Sequence, residues 1–392
     1  MHEAPPEADL AVVGAGILGL AVARELHARR PDRSLAVLEA GERVAGGQTG
    51  ANSGVIHAGI YYAPGSLKAR MCVDGARAMY ALCEEHGIPY ERCGKLIVAR
   101  DGGELARLDE LERRGRANGV PGLRRLRAEE IAEVEPHAVG AGALHSPDTG
   151  VVDFAVVARS LAARLDADGV PVALGCGVTA IGQRGGRIHL RHPRGELAAR
   201  FAVLCAGAGS ARLAELAGAP ADPRIVGFRG TYRYVRAPRA DLVRGMIYPV
   251  PDPALPFLGV HLTRHVDGRV SLGPSALLWP RSARELAWPG TWRVARRWWR
   301  TGLTELHHAV RPGVFAAAAS DYVPELGAGD FEDGFAGLRA QALGRDGTLV
   351  DDFVLAETER ALHVRNAPSP AATSSLALAG LIADRVDSLA PA

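Results

Sequence analysis

The feature that most limits how this chain can fold is residues 9–19, DLAVVGAGILG, where an apolar run leads into glycines at 14, 16 and 19. Residues 10–13 suit a buried parallel strand, and residues 17–30 carry apolar side chains at helical spacing. Between them Gly14, Ala15, Gly16 and Ile17 make a tight turn that lets backbone approach a pyrophosphate, while Gly19 lets helix pack close on strand. The amides that open the helix then face the phosphates. A second strand over 34–38 ends at Glu39, twenty residues past Gly19. A carboxylate there accepts hydrogen bonds from ribose hydroxyls and repels a 2′-phosphate. The glycines alone would equally suit a tight strand-to-helix turn; with both strands and the terminal acid they predict a dinucleotide site.

The next segment, GERVAGGQTGANSGVIHAGIYYAPGSLKARM, is too glycine-rich for a helix and too long for a passive connection. Gln48, Thr49, Asn52, Ser53 and Gly54 supply small polar groups and backbone suited to a cofactor's phosphates or ribityl chain. The alternative is a solvated Ω-loop. His57 follows the apolar pair Val55 and Ile56, so it is either a satisfied core histidine or, given its loop, a catalytic base. Further on, FAVLCAGAGS from Phe201 again runs an apolar strand into small residues. Ala206 and Gly207 then give a second approach of backbone to cofactor, with Val178 assigned to the same wall. A nicotinamide-only dehydrogenase rarely needs that second approach. Helices are expected over 66–86, 104–118 and 155–166, and strands over 95–99, 170–180, 187–192 and 350–355. Proline-punctuated, antiparallel strands are expected over 225–235 and 246–278, where alternation would put Arg229 and His261 on a pocket face. Ser369 and Pro370 ahead of an Ala-rich stretch from Ala371 to 389 are helix-start chemistry. Such a start aims its positive end at an anionic ring.

A length of 392 residues with 47% apolar side chains suits two or three domains' worth of core, and a formal charge of +2 gives no basic field for nucleic acid. Only Lys68 and Lys95 are lysines among 46 cationic side chains. Five cysteines without a CxxC pair fit a reducing, cytoplasmic setting, and no metal site is expected. The N-terminus lacks the basic and apolar regions of a secretory signal, and no apolar run reaches the ~18–20 residues of a membrane span. In residues 288–306, Trp292, Ala295, Trp299, Leu303 and Leu306 share helical spacing, with Arg293, Arg297 and Arg300 elsewhere on the wheel. Packing on its own domain is the commoner use of such a face. The alternative is peripheral contact with the inner face of a membrane.

Several longer blocks extend the pattern: QTGANSGVIHAGIYYAPGSLKA from Gln48, CGKLIVA from Cys93, FRGTY from Phe228 and IYPVPDPALPFLGVHLTR from Ile247. GLRAQALGRDG from Gly337, VDDFVL from Val350 and NAPSPAATSS from Asn366 complete them. Through these blocks the chain resembles the FAD-dependent L-2-hydroxyglutarate dehydrogenases and oxidases of the D-amino-acid-oxidase-like flavoprotein superfamily. The resemblance implies an α/β fold: a Rossmann-like FAD-binding domain from 1–86, 145–222 and 330–392, and an interleaved, mostly antiparallel-sheet substrate domain from 87–144 and 223–329. It implies FAD as cofactor and oxidation of the C2 hydroxyl of L-2-hydroxyglutarate to the ketone of 2-oxoglutarate, with hydride passing to flavin N5. A five-carbon diacid needs two cationic or donor-rich subsites, and Arg229, Arg264 and Arg339 lie in matching blocks with guanidinium forks suited to carboxylates. The hydroxyl proton needs a neutral histidine, for which His57 is the first candidate and His261 the rival.

Two departures stand out. The family's cofactor loop usually reads HQTGHNSG, whereas Gly47 and Ala51 occupy the histidine positions here, and a block that commonly ends GPNA reads Gly273, Pro274, Ser275, Ala276. Losing two imidazoles beside a flavin changes its local field and leaves the electron acceptor open among oxygen, a quinone and a carrier protein. Alternative readings are a flavoenzyme of the same fold acting on another 2-hydroxy acid or an amino acid and, in a different class, a catalytically silent FAD-binding subunit.

Overall fold

The computed structural model describes residues 3–255 and 257–390; the first two residues of the expected segment 1–86 and the last two of 330–392 lie outside it. Apolar strands with no polar alternation form the parallel centre of an eight-stranded sheet. Val172–Ala173, Leu35–Leu38, Glu7–Val13, Gly195–Leu204 and Ala361–Asn366 lie side by side in that order. Alternate residues enter opposite cores. Leu10, Val12, Leu35 and Val37 pack under the helices Ile17–Arg29, Leu67–His86, Phe154–Ala167 and Ala371–Leu389, while Ala11, Val13, Ala36 and Leu38 face the other side. The antiparallel strands Ala180–Arg184 and Arg187–His192 extend one edge, and Val354–Thr358 pairs with Ala361–Asn366.

A second, nine-stranded sheet is antiparallel except where Met246–Pro249 runs parallel to Lys95–Ala99. Its longest pairing joins Arg224–Val235 to Phe331–Leu343, from Arg224 opposite Leu343 to Val235 opposite Phe331. Val270–Gly273, His261–Arg264, Met246–Pro249, Lys95–Ala99, Gly142–Ser146 and Arg124–Arg127 follow. A break at 330 therefore does not coincide with strand pairing, which places 331–343 in this sheet, and Gly142–Ser146 likewise runs across the expected break at 145. A small sheet of Val55–Ile56, Gly150–Val152 and Tyr90–Glu91 ties three distant segments together beside His57.

Three expected elements differ. The strand over 170–180 shortens to Val172–Ala173, because Gly175 at φ +65° turns the chain. The strand over 350–355 starts only at Val354, since the Asn366 carboxamide takes the Val350 and Asp352 carbonyls out of any ladder. The helix over 288–306 is two helices, Pro289–Arg297 and Trp299–Val310, separated at Trp298 by φ −115° and ψ 31°.

Candidate active site

A cleft of about 750 Å³ opens where the parallel strands end, within the roughly 300–1,000 Å³ typical of ligand sites and at the carboxyl-end position where open α/β sheets bind ligands. Its floor is the glycine turn. Gly14 holds φ +113°, and a Cβ there would lie 2.4 Å from the Cys205 carbonyl oxygen; a Cβ on Gly19 would lie 1.9 Å from that of Gly14. Both contacts are with backbone, so the turn, the helix and the neighbouring strand end approach one another only without side chains. Glu39 faces the cleft, and its carboxylate accepts the Ala15 amide at 2.6 Å and the Gly41 amide at 2.8 Å. The acid expected at the ribose therefore also fastens the turn.

Gly14, Gly16, Ile17, Gly19, Glu39, Gln48, Thr49, Asn52, Ser53, Val178, Ala206, Gly207, Ser369, Pro370 and Ala371 all line the cleft. Thr49 Oγ1 accepts the Ile17 amide at 3.0 Å, and the Asn52 carboxamide bonds the carbonyls of Gln48 and Thr49 and the amide of Gly54. Of the expected cofactor residues, Ala15 and Gly54 do not reach the cleft. Ala15 is buried beneath the turn, and Gly54 at φ +71° packs on the Val152 carbonyl. At the other end the helix Ala371–Leu389 begins at the cleft wall. In its first turn Thr373 Oγ1 accepts the His57 amide at 3.1 Å and donates to the Val55 carbonyl at 3.2 Å. A Cβ on Gly75 would lie 2.5 Å from the Thr373 carbonyl oxygen, so the helix Leu67–His86 holds that turn by backbone contact.

His57 lines the cleft, and its Nδ1 is buried without a hydrogen-bond partner. Burial first, then the charges of Lys95, His261, Lys68 and Arg339, hold its pKa well below the ordinary imidazole value, so the ring is neutral. His261 is buried and is not among the residues that line the cleft. Its Nδ1 stands 2.8 Å from the Gly259 carbonyl and must donate to it; the ring stacks on Tyr248 with centroids 3.8 Å apart, and burial lowers its pKa to about 3. Arg339 lines the cleft with no hydrogen bond or ion pair to any described residue; its guanidinium carbon lies 4.7 Å from the centre of the Phe257 ring.

The other two arginines are not brought to this place. Phe228, Gly230 and Tyr232 line the cleft from the strand Arg224–Val235, so the intervening Arg229 points away, exposed, with its guanidinium carbon 5.4 Å from the centre of a Trp279 ring. Arg264 stands 3.6 Å from the Glu91 carboxylate in a separate cavity of about 340 Å³, shared with Asp241, Val243 and Arg244. The sequence reading also passed over Tyr232, Phe228 and the buried Lys95 and Arg365. Strand parity within FRGTY carries the signal for Phe228 and Tyr232.

Two small-residue strand ends and a helix start, all converging on one cleft, grip more of a ligand than a nicotinamide dinucleotide requires; the class is a flavin-dependent oxidoreductase. The chain belongs to the FAD-dependent oxidoreductase family, whose model matches residues 9–385. It is 43% identical over 408 residues to an L-2-hydroxyglutarate dehydrogenase of Homo sapiens described as mitochondrial, covering 96% of this chain and 88% of that protein. The L-2-hydroxyglutarate dehydrogenase of Indibacter alkaliphilus is 39% identical over 387 residues, covering 95% and 97%. Among solved structures, the fold is similar to an L-alpha-glycerophosphate oxidase from Mycoplasma pneumoniae with FAD bound (TM-score 0.79, 22% identity, 96% and 94% covered). It is also similar to a glycine oxidase from Geobacillus kaustophilus (TM-score 0.73, 23% identity, 99% and 96% covered).

FAD fits the residues present. The glycine cradle, where a Cβ on Gly14 or Gly19 would clash with backbone, suits a pyrophosphate, Glu39 suits a ribose, and the helix start at Ala371 suits the anionic side of a flavin ring. Gly19→Ala forces helix and turn apart, and the variant is expected to purify without yellow colour. A normal ratio of flavin to protein absorbance in that variant would show that the cradle does not hold the cofactor.

Proposed function

We propose that the enzyme oxidises L-2-hydroxyglutarate to 2-oxoglutarate, with residues 331–343 joining the substrate-binding part of the molecule and the parallel sheet forming the FAD-binding part. The observation that carries this reading is the pairing, in one cleft, of a neutral imidazole at His57 with a guanidinium at Arg339 that makes no hydrogen bond or ion pair to any described residue. The names of the relatives above support the same substrate. FAD, when bound, supplies the acceptor for the hydrogen on C2 and its electron pair. Arg339 forks onto the carboxylate beside C2 and fixes that carbon against rotation. His57 takes the hydroxyl proton, so the alcohol leaves as a ketone, having lost one proton to the protein and one hydride to the cofactor. Low polarity around both imidazoles keeps them unprotonated before substrate enters.

The test is anaerobic mixing of the purified yellow protein with each enantiomer. L- but not D-2-hydroxyglutarate is expected to bleach the flavin band near about 450 nm. Faster bleaching by L-lactate or by an L-amino acid would replace the substrate, and no bleaching by any of them would favour a silent FAD-binding subunit.

We further propose a peripheral seat on the inner face of an anionic membrane, which makes a lipid-dissolved quinone the acceptor favoured over oxygen or a carrier protein. No helix of the described residues is long and apolar enough to cross a membrane. Of the eight exposed large hydrophobic residues described, six lie within 279–306, including Trp292, Trp299 and Leu303, each more than half exposed. Arg293, Arg296, Arg297 and Arg300 stand among them, a combination that suits anionic headgroups. Glu305 accepts the amide of Ala276, a cleft residue, at 2.6 Å, so this patch borders the cleft. Replacing Trp292 and Trp299 with alanine is expected to abolish flotation with anionic vesicles; unchanged partition would end the idea.

A further inference from the structure

One buried cation has no part in the chemistry above. Lys95 opens the strand Lys95–Ala99 and is 2% exposed. Its ammonium makes no hydrogen bond or ion pair to any described residue; it lies 4.4 Å from the centre of the Tyr248 ring and 5.3 Å from that of Tyr61. The Tyr61 hydroxyl is also buried without a partner, as is Nδ1 of His57, on which Lys95 is the strongest acting charge. His57 lines the cleft, Lys95 lies against the Tyr61 ring, and these three polar groups find nothing among the described residues to bond. An isolated ammonium in such surroundings is strongly unfavourable unless an anion joins it. The acidic groups that act on it are the thiols of Cys72 and Cys93, and burial pushes both up to about 12, so neither supplies a negative charge.

We propose that Lys95 is the counter-ion of the substrate's far carboxylate, the one remote from C2, and thereby selects dicarboxylic over monocarboxylic 2-hydroxy acids. The inference rests on the proposed oxidation of a C5 2-hydroxy diacid and adds the residue that reads its second acid group. Arg339 comes from the strand whose Gly337, Leu338 and Ala340 line the cleft, and so serves the carboxylate next to the reacting carbon. Lys95 comes from the opposite part of the same sheet, and both cations lie near enough to act on the His261 imidazole. Composition sharpens the assignment. The chain has 46 cationic side chains and two lysines, hence 44 arginines, and both lysines are buried. Lys68 is satisfied by Asp351 at 2.7 Å; Lys95 is not. A guanidinium carries five donors in a fixed plane, which this aromatic slot cannot match. A compact ammonium fits, and although burial lowers its pKa to about 8, an arriving carboxylate restores full charge.

The experiment compares FAD-loaded wild type with Lys95→Met and Lys95→Arg, reading glutarate and valerate binding from perturbation of the bound flavin's spectrum. Wild type is expected to prefer glutarate by roughly 30-fold or more, and Lys95→Met to lose that preference while binding valerate within about threefold of wild type. Lys95→Arg is expected to recover less than half of the preference on a logarithmic scale. With no ligand added, Lys95→Met is expected to melt no lower than wild type, because an unpaired buried charge has been replaced by a matched hydrophobe. Retained glutarate preference in Lys95→Met, or equal weakening of both acids, overturns the assignment. So does a lower melting temperature with preference intact, which marks a purely structural lysine. Failure of L-2-hydroxyglutarate to bleach wild-type flavin defeats the proposed reaction instead, and the glutarate–valerate comparison still judges Lys95.

Discussion

Replacing Arg339 with methionine lowers kcat/KM for anaerobic flavin reduction by L-2-hydroxyglutarate about 10³-fold while leaving FAD content unchanged. The estimate follows from about 4 kcal/mol for removing one partner of a buried, hydrogen-bonded charge pair, at about 1.4 kcal/mol per tenfold. Arg339 carries this weight because it lines the cleft without a hydrogen bond or ion pair to any described residue, so in the proposed reaction the incoming carboxylate is its counter-ion. Arg339→Lys restores only part of the loss, since a point charge cannot reproduce a bidentate fork. The internal control is Arg229→Met, expected to change kcat/KM less than about threefold because an exposed side chain directed away from the cleft contributes little. A rate for Arg339→Met within about fivefold of wild type would remove Arg339 from substrate recognition.

His57→Ala slows the same reduction at least ~100-fold, the lower end of what a positioned base contributes. His261→Ala is expected to cost less than ~10-fold, as a ring that stacks on Tyr248 and does not line the cleft. The pH profile separates the roles further. A base must be unprotonated to work, and burial and neighbouring cations hold His57 below its usual value of 6.5. The acid limb of kcat/KM therefore falls below pH 6.5, and the enzyme stays competent through mildly acidic pH. An acid limb at or above pH 6.5, or a larger loss in His261→Ala than in His57→Ala, would transfer the proton acceptor's role.

Local sequence displayed the cofactor end of the cleft because its requirements are themselves local. A glycine that must be a glycine, an acid at the end of the second strand and a proline-led helix start each act within a few residues of one another, and all are placed around one cleft. The substrate end is assembled from side chains far apart in sequence. Alternation separates Arg229 from Phe228 and Tyr232 in one strand, but it does not say which of the two faces is inward until the partner strand that carries Arg339 is in place. The pairing of Phe228 with Arg339 and the register shift between Thr231 and Arg233 are set by tertiary contact. Arg264 and His261, three positions apart, fall on opposite faces of one strand. Lys95 had a signal of its own: a lysine in a chain that otherwise uses arginine almost throughout. It became interpretable only when its surroundings proved to hold no carboxylate.

The splice at Thr373 joins a late segment of the chain to an early one. Its hydroxyl holds the backbone on either side of the Val55–His57 segment, and its carbonyl packs on Gly75. A chain made from the N-terminus must therefore emerge as far as Thr373 before the Val55–His57 segment is anchored. Nascent chains that stall earlier carry the glycine turn and His57 but lack the hydroxyl that fastens the Val55–His57 segment, and the late helix leaves Leu20 and Met79 without part of their cover until it docks.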